Sequence, residues 1–206
     1  MDLLNESRLL EAVGILVDKD FDLASVVRRH GPPPLWVRAP GFPTLVSIIL
    51  EQQVSLASAK AALDRLVARI GEPSPEIFLT LDDEELKGIG FSRQKARYVR
   101  LLAGSLLDGS FDLEELEHLS DDVARGRLME LKGVGRWSAD IYLLMALRRP
   151  DIWPLGDLAL ISAVTRIKGL PVPPSVEEFE AIGEAWRPWR SVAARIAWFE
   201  YLEGQP

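Results

Sequence analysis

The residue with the clearest chemical potential is Asp157, which follows the turn sequence Pro154-Leu155-Gly156 and precedes an apolar run. An aspartate in this position is typical of a helix N-cap, because its side chain can accept a hydrogen bond from the first turn. A carboxylate fixed in this way could also stabilise positive charge on a neighbouring carbon and orient or deprotonate an attacking water. The sequence therefore predicts a capping carboxylate and leaves a catalytic role open.

A second candidate is the segment Leu131–Trp137, in which Gly133 and Gly135 join two helical patterns. Glycines permit a tight reversal with positive φ, which we expect at Gly135, and they leave N–H groups bare at the start of the next helix. Exposed amides at a helix N-terminus suit a phosphate group. The alternative is an ordinary corner between helices, and the glycine pattern alone favours that alternative.

Composition limits the cofactors and the location of the protein. The chain has no cysteine and two histidines, which excludes disulfides, thiolate zinc sites, iron–sulfur clusters and histidine-rich metal sites. Apolar stretches are too short to span a membrane, and the amino terminus lacks the basic start of a signal peptide. We therefore expect a cytoplasmic protein, associated with the nucleoid if it is prokaryotic.

The net charge of −7 is unusual for a protein that binds nucleic acid, but the charges are unevenly distributed. The segment 87–100 carries five basic residues and no acidic one, and a second basic cluster occupies 125–136, diluted by Glu130. The segment 108–122 is strongly acidic and contains no lysine or arginine. This asymmetry allows a basic face on an acidic protein, although either cluster taken alone favours a solvated helix face.

Helical periodicity runs through almost the whole chain, and period-two alternation of any length is missing. Serine or aspartate caps and glycine or proline stops predict helices over 55–71, 92–109, 120–130, 136–147, 157–168, 176–186 and 191–203. We therefore predict an all-α protein of about ten helices. The hydrophobic content of 48% is sufficient for a packed core.

Five stretches resemble the DNA glycosylase superfamily that is named for its helix–hairpin–helix and its Gly/Pro-rich loop ending in aspartate. LKGVGRWSADIYLLMAL (131–147) resembles the hairpin, and IWPLGD (152–157) resembles the loop. The stretches ILEQQVSLASAKAA (49–62), GFSRQKARYVRLLA (90–103) and AWRPWRSVAARIAW (185–198) are similar to the 3-methyladenine DNA glycosylase II branch. The resemblance covers about residues 35–200. It has no counterpart of the amino-terminal β-domain of some members, so the chain looks like a compact version.

The resemblance implies one glycosylase domain over 1–206, built from two helical subdomains with the active-site cleft between them. Subdomain A would cover about 35–110, and subdomain B about 1–34 plus 111–206, with the helix–hairpin–helix at 121–147. It also implies a base-excision repair enzyme whose partner is double-stranded DNA containing damaged bases. We expect a monomer that needs no cofactor and has no membrane partner.

The resemblance assigns the essential aspartate to Asp157, which would assist hydrolysis of the N-glycosidic bond through an oxocarbenium-like transition state. Superfamily members that also nick the strand carry a Schiff-base lysine two residues after the last hairpin glycine, where this chain has Trp137. A monofunctional enzyme without lyase activity follows. Lys132 is the nearest other amine, and we expect it to face phosphate.

The implied base pocket contains Trp137 and Trp189, with Tyr142 as a further candidate. Electron-rich aromatic faces attract cationic rings, and alkylation at N3 or N7 makes a purine cationic and a better leaving group. The expected substrates are therefore alkylated purines such as 3-methyladenine and 7-methylguanine, although the sequence does not rank these against 1-methyladenine, hypoxanthine or etheno-adducts. We expect Trp153 and Trp198 to be core residues.

The resemblance also implies how the duplex is held while the damaged base is flipped out. Gln52 and Gln53 match the stretch that enters the lesion, and Arg93 stands where members carry an opposing apolar wedge; without the resemblance, the two glutamines simply end a helix. The hairpin contacts would come from Gly133, Gly135, Lys132 and Arg136. A Na⁺ or K⁺ ion could lie beneath the hairpin on the backbone carbonyls of Met129, Leu131 and Val134.

Two other classes of function remain open. A noncatalytic helix–hairpin–helix DNA-binding module would explain the hairpin and the basic segment, but it gives no reason for Asp157 or for the aromatic residues of the 185–198 stretch. A helical protein–protein scaffold without a DNA role would agree with the acidic net charge. Duplex binding separates the scaffold from the other two classes, and base release separates the enzyme from the module.

Overall fold

The described part of the protein, residues 3–204 of a computed structural model, contains twelve α-helices and no strand, and Met1, Asp2, Gln205 and Pro206 lie outside it. The all-α prediction is confirmed, with two helices more than expected. The helices are α1 (Glu6–Lys19), α2 (Phe21–His30), α3 (Phe42–Glu51), α4 (Leu56–Ile70), α5 (Pro75–Leu79), α6 (Asp83–Ile89), α7 (Arg93–Leu107), α8 (Asp121–Glu130), α9 (Arg136–Ile141), α10 (Leu158–Ile167), α11 (Val176–Glu184) and α12 (Arg190–Glu203). A 3₁₀ turn covers Glu115–His118, and a π-helical turn covers Tyr142–Ala146.

The helix starts agree with the capping residues in the sequence. The Ser55 and Ser92 side chains accept hydrogen bonds from the first turns of α4 and α7, and Gly71 ends α4 with a φ of 75°. Ser120 precedes α8 but makes no capping bond with its side chain. The helix predicted over 136–147 ends as an α-helix at Ile141, because the backbone widens into the π-helical turn.

The chain divides into two units, and the first comprises Met1–Val37 and Leu143–Pro206. Its centre is α12, which packs against α1, α2 and α10 and is buried from Ser191 to Trp198. Arg195 lies within this buried stretch and donates to the carbonyl oxygens of Leu35, Leu144 and Ser191. Burial lowers the pKa of the Arg195 guanidinium to about 10, so the group stays charged at neutral pH.

The second unit comprises Arg38–Tyr142, and α3 is its central helix. Seven of the ten α3 residues are buried, and the helix packs against α4, α7 and α9. The short helices α5 and α6 pack against α7, while α8 packs against α9 and against the 3₁₀ turn. The helix–hairpin–helix pair α8–α9 therefore belongs to the same unit as α3 and α7.

The position of the second boundary differs from the expected one. The sequence placed the change of subdomain near residue 110, whereas it falls after Tyr142, so that 111–142 joins the unit of α3. The acidic segment 108–122 has the composition of a connection, but Phe111 and Leu116 are buried and attach it to this unit. Among the described residues, no helix is long and apolar enough to cross a membrane.

Candidate active site and nucleic-acid interface

Asp157 lies in the first unit as the N-cap of α10, as the sequence predicted. Its Oδ1 accepts a hydrogen bond from Leu160 N at 2.8 Å and another from Trp198 Nε1 at 3.3 Å. The residue exposes 9% of its surface, and the following Leu158 exposes 81%. The carboxylate is thus held by Leu160 N and Trp198 Nε1, and it is flanked by an apolar side chain that faces solvent.

The role of Trp198 differs in part from the prediction. The expected burial is correct, since Trp198 exposes 8% of its surface, but its indole N–H also orients the Asp157 carboxylate. The sequence contained a signal for this contact, because a buried indole N–H requires an acceptor and a buried carboxylate requires donors. Trp153 is a core residue as expected, stacked on Phe179 with ring centroids 4.8 Å apart.

The loop that carries Asp157 is fixed by the start of α12. Arg190 Nε donates to Asp151 Oδ1 at 2.8 Å, and its Nη2 donates to the Asp151 carbonyl oxygen at 2.8 Å. Ser191 Oγ accepts from Ile152 N at 2.9 Å. These residues of the 185–198 stretch were not predicted as site residues, and they restrict the motion of the loop on which Asp157 is placed.

Trp189 precedes α12 and is partly exposed. The Arg8 guanidinium carbon lies over its ring, 5.9 Å from the ring centroid. This distance is within the range of cation–π attraction. The ring that the sequence assigned to a cationic base therefore already has a positively charged group over one face.

The hairpin lies in the second unit, between α8 and α9, and Gly133 is its constrained residue. Gly133 has a φ of 92°, and a Cβ atom there would lie 2.2 Å from the ring of Tyr98. Gly135 instead has a φ of −92°, and a Cβ atom there would meet nothing within 4 Å. The expectation of positive φ at Gly135 is therefore wrong, because the reversal is made at Gly133 and Gly135 serves as the extended N-cap of α9.

Several basic side chains around these elements are exposed. Lys132, Arg93, Arg97 and Lys87 are exposed and take part in no ion pair with another described residue. Arg136 Nε lies 3.8 Å from the buried Asp140 Oδ2, whose other oxygen accepts from Arg125 Nε at 2.6 Å. In the basic segment 87–100, Lys95 donates to the Leu50 carbonyl oxygen and Arg100 pairs with Asp83, so these two cations are engaged within the protein.

The two aromatic candidates in the second unit differ in exposure. Trp137 is partly exposed in the first turn of α9. Tyr142 is completely buried, and its hydroxyl accepts a hydrogen bond from Gly41 N at 2.9 Å. Burial raises the pKa of the Tyr142 phenol to about 12. With no exposed surface, Tyr142 offers no face to a base in this conformation, and we omit it from the proposed pocket.

The two glutamines also differ from each other. Gln52 points to the hairpin, where its Nε2 donates to Gly133 O and to Ser138 Oγ, each at 2.9 Å. Gln53 is exposed and has a φ of 57°. Of the two residues expected to enter the lesion, Gln53 has the exposed side chain, while the amide group of Gln52 is engaged within the protein.

The three residues whose carbonyl groups were assigned to a monovalent cation lie at the end of α8 and in the turn. Met129 is in the last helical turn, where carbonyl groups lack intrahelical donors, and Val134 N donates to the Leu131 carbonyl oxygen at 3.0 Å. The Leu131 oxygen keeps one lone pair. The donor set is compatible with a hard monovalent cation.

The match to a family model covers residues 46–188 and is described as "HhH-GPD superfamily base excision DNA repair protein". This match spans Gln52, the hairpin and Asp157 and ends just before Trp189. The chain belongs to the HhH-GPD superfamily of base excision DNA repair proteins.

Known relatives share most of the length of this chain. It is 30% identical over 193 residues to DNA-3-methyladenine glycosylase 2 of Escherichia coli, covering 85% of this chain and 64% of that protein. It is 27% identical over 180 residues to DNA-3-methyladenine glycosylase 1 of Schizosaccharomyces pombe, covering 85% of this chain and 79% of that protein. A Bacillus subtilis relative, 28% identical over 184 residues, is also matched over only 64% of its length.

A solved structure supports the same relationship. The 3-methyladenine DNA glycosylase of Schizosaccharomyces pombe in complex with abasic DNA is 26% identical, with a TM-score of 0.84. The match covers 91% of this chain and 95% of that one.

Proposed function

We propose that this protein is a monofunctional DNA glycosylase that removes alkylated, cationic purines such as 3-methyladenine and 7-methylguanine. The observation that carries the proposal is the geometry of Asp157, a carboxylate held by Leu160 N and Trp198 Nε1 at the start of α10. The names of the relatives agree with it, since those of Escherichia coli and Schizosaccharomyces pombe are both called DNA-3-methyladenine glycosylases. In the superfamily, the catalytic aspartate is expected at the end of the Gly/Pro-rich loop, and Asp157 occupies this position.

The proposed reaction breaks the bond between C1′ of the sugar and a ring nitrogen of the flipped base. The bond's electron pair leaves with the base, so a cationic purine departs as a neutral molecule and needs no proton from a general acid. Asp157 stabilises the positive charge that develops on the sugar. A water then adds to C1′ and gives up a proton, which the carboxylate accepts.

Aromatic side chains are proposed to select the base. Trp189 and Trp137 are both partly exposed, and an indole face attracts a cationic ring by about 0.5–2 kcal/mol. Arg8 lies over one face of the Trp189 ring, so a cationic base would have to stack on the other face or displace the guanidinium. An uncharged purine gains no such attraction.

The second unit is proposed to hold the duplex. Backbone amides of Gly133 and Gly135 would bind a phosphate, assisted by Lys132 and Arg136, and phosphate contacts position a protein without reading sequence. Arg93 would contact the strand at the start of α7, and Gln53 would enter the space left by the flipped base. A Na⁺ or K⁺ ion on the Met129, Leu131 and Val134 carbonyls would order the turn and add positive potential near the phosphate.

The proposed partner is double-stranded DNA with damaged bases, bound by a single copy of the protein. Such a substrate places the protein with the chromosomal DNA, in the cytoplasm or at the nucleoid if the source is prokaryotic. A gel-filtration measurement with and without duplex checks the stoichiometry.

The most direct test incubates the protein with a duplex treated with a methylating agent and identifies the released bases by chromatography. We expect free 3-methyladenine and 7-methylguanine, and an abasic strand that stays uncut until hot alkali is added. Borohydride should trap no protein–DNA adduct, because Trp137 stands where a lyase has its amine. Binding without any base release would instead support the noncatalytic helix–hairpin–helix module.

A further inference from the structure

Gln52 forms two long-range hydrogen bonds within the second unit. It is the C-cap residue of α3, and its Nε2 donates to Gly133 O in the hairpin and to Ser138 Oγ in α9. Both bonds are 2.9 Å long and partly buried. Because an amide nitrogen has two donor hydrogens, Gln52 uses its full donor capacity on the hairpin motif.

The next residue, Gln53, has an unusual backbone conformation. Its φ of 57° is in the left-handed region, which costs a residue with a Cβ atom about 1–2 kcal/mol. Such a conformation persists only when surrounding contacts hold it, and it is found preferentially at functional sites. Gln53 and Val54 are exposed, so they contribute little to holding the loop themselves.

The end of α3 is held from a second direction by α7. Lys95 Nζ donates to the Leu50 carbonyl oxygen at 2.7 Å, three residues before Gln53 in the chain. The bonds of Lys95 and of Gln52 thus flank the last turn of α3. The loop that follows is fixed relative to both the hairpin and the start of α7.

We infer that Gln52 is a positioning residue that connects the exposed Gln53 loop to the hairpin. Binding of a phosphate by the hairpin and insertion of Gln53 into the space left by the flipped base are thereby coupled. Because the loop and the hairpin are joined in this way, Gln53 has a fixed position relative to the hairpin when the hairpin binds the phosphate backbone of the DNA. Without the Gln52 bonds, the hairpin still binds any duplex, but Gln53 loses the left-handed conformation that directs it. This inference rests on the proposed function for its DNA readouts.

Two substitutions separate the donor role of Gln52 from its size. Gln52→Met keeps the length of the side chain and removes both donors, whereas Gln52→Lys keeps a donor that can reach the same two oxygens. Gln53→Ala removes the inserting side chain and leaves the Gln52 bonds in place. Melting temperatures of all variants establish that each one is folded before any DNA measurement.

The experiment measures binding to an undamaged duplex and to a duplex with a stable abasic analogue beside 2-aminopurine, whose fluorescence reports unstacking. For Gln52→Met we expect unchanged affinity for undamaged duplex, and a preference for the abasic duplex reduced about three- to tenfold, equivalent to one or two lost hydrogen bonds. The fluorescence increase should fall in parallel. Gln52→Lys should restore both the preference and the fluorescence, after correction for its affinity for undamaged duplex.

The double variant Gln52→Met/Gln53→Ala decides whether the two residues act together. If Gln52 acts through Gln53, the double variant loses no more preference than Gln53→Ala alone. The inference would be overturned if the fold losses of the two single variants multiplied in the double variant. It would also be overturned if Gln52→Met kept the full preference for the abasic duplex and the full fluorescence increase. These readouts need no base release, so a wild-type protein that binds abasic duplex but releases no base would contradict the proposed function while still testing Gln52.

Discussion

Two of the hydrogen bonds that Asp157 accepts have different consequences, one from Leu160 N and one from Trp198 Nε1. The first bond caps α10 and would exist in a protein without any catalytic activity. The second bond comes from a side chain two turns into α12 and restrains the carboxylate from another direction. Residue-scale substitutions can therefore distinguish a positioned carboxylate from a cap.

Trp198→Phe removes the indole donor and keeps an aromatic ring in the core. We expect the single-turnover rate of base release to fall about 10- to 150-fold, which corresponds to the ~1.5–3 kcal/mol of one lost hydrogen bond to a charged group. The matched control is Trp153→Phe, because Trp153 Nε1 donates to the Phe179 carbonyl oxygen and not to Asp157. Equal rate losses in the two variants, after correction for stability, would mean that Trp198 acts only through packing.

Trp189→Ala tests the selection of cationic bases. The variant should lose about two- to thirtyfold in release of 7-methylguanine, which corresponds to the cation–π attraction, and much less in release of hypoxanthine, which is neutral. Rates for both bases are measured with the same duplex sequence. A uniform loss for both bases would show that Trp189 contributes shape and not charge recognition.

Residue types and spacing predicted the Asp157 cap and the hairpin glycines as candidates, because their chemistry is local to the sequence. The catalytic role of Asp157 and the pocket role of Trp189 came from the family resemblance. The contacts of Trp198 with Asp157 and of Gln52 with Gly133 were not predicted, because each joins residues far apart in the chain. Neither periodicity nor spacing indicates which residues, distant in the chain, will form a hydrogen bond with each other.

At the scale of elements, the hairpin depends on one glycine. Gly133→Ala places a Cβ atom against Tyr98 at a φ of 92°. We expect a loss of about 1–3 kcal/mol in stability or an opened turn, and weak binding to every duplex, damaged or not. Affinities for damaged and undamaged duplexes at one salt concentration provide the measurement.

Gly135→Ala is the matched control in the same turn, since a Cβ atom there meets nothing within 4 Å and its φ is −92°. Its stability should stay close to that of the wild type. Normal duplex affinity in a folded Gly133→Ala variant would show that the hairpin is a structural corner and that DNA is bound elsewhere.

Helices such as α4 and α7 were predicted well because they begin with capping serines and carry apolar residues at helical spacing. The first three helices, α1, α2 and α3, were not located individually. The short helices α5 and α6, with 5 and 7 residues, were not located individually, because fewer than two turns give no clear period. The π-helical turn at Tyr142–Ala146 was also missed, since apolar residues there fit an α-helix equally well.

At the scale of the whole molecule, a net charge of −7 has to be reconciled with a proposed DNA partner. The structure shows exposed cations at Lys132, Arg93, Arg97 and Lys87, whereas some other basic residues, such as Arg100, are paired with acids. Binding through a few phosphates should therefore remain strongly dependent on salt. The net charge itself does not describe the surface that meets the duplex.

Lys132→Ala should reduce the slope of log K against log salt by about 0.9, the contribution of one phosphate contact. Arg100→Ala is the control, because Arg100 pairs with Asp83 and the Leu81 carbonyl and is not expected to meet phosphate. Both slopes are measured on an undamaged duplex. An unchanged slope in Lys132→Ala would remove Lys132 from the DNA contacts.

The division of the chain into two units was predicted from the family resemblance, and its second boundary was misplaced. Composition indicated a connection at 108–122, but the protein buries Phe111 and Leu116 from this acidic segment. The apolar residues that attach a segment to its unit are few, and their partners are distant in sequence. A boundary of this kind follows from tertiary packing and not from local charge.

The substitution Asp157→Asn tests the central claim, that the Asp157 carboxylate drives cleavage of the N-glycosidic bond. Asparagine caps a helix about as well as aspartate, so the variant should keep its melting temperature and its affinity for damaged duplex. Its single-turnover release of 3-methyladenine and 7-methylguanine from methylated duplex should be abolished, because the charge acts only in the transition state. Release at close to the wild-type rate by this folded variant would contradict the account and leave Asp157 as a helix cap.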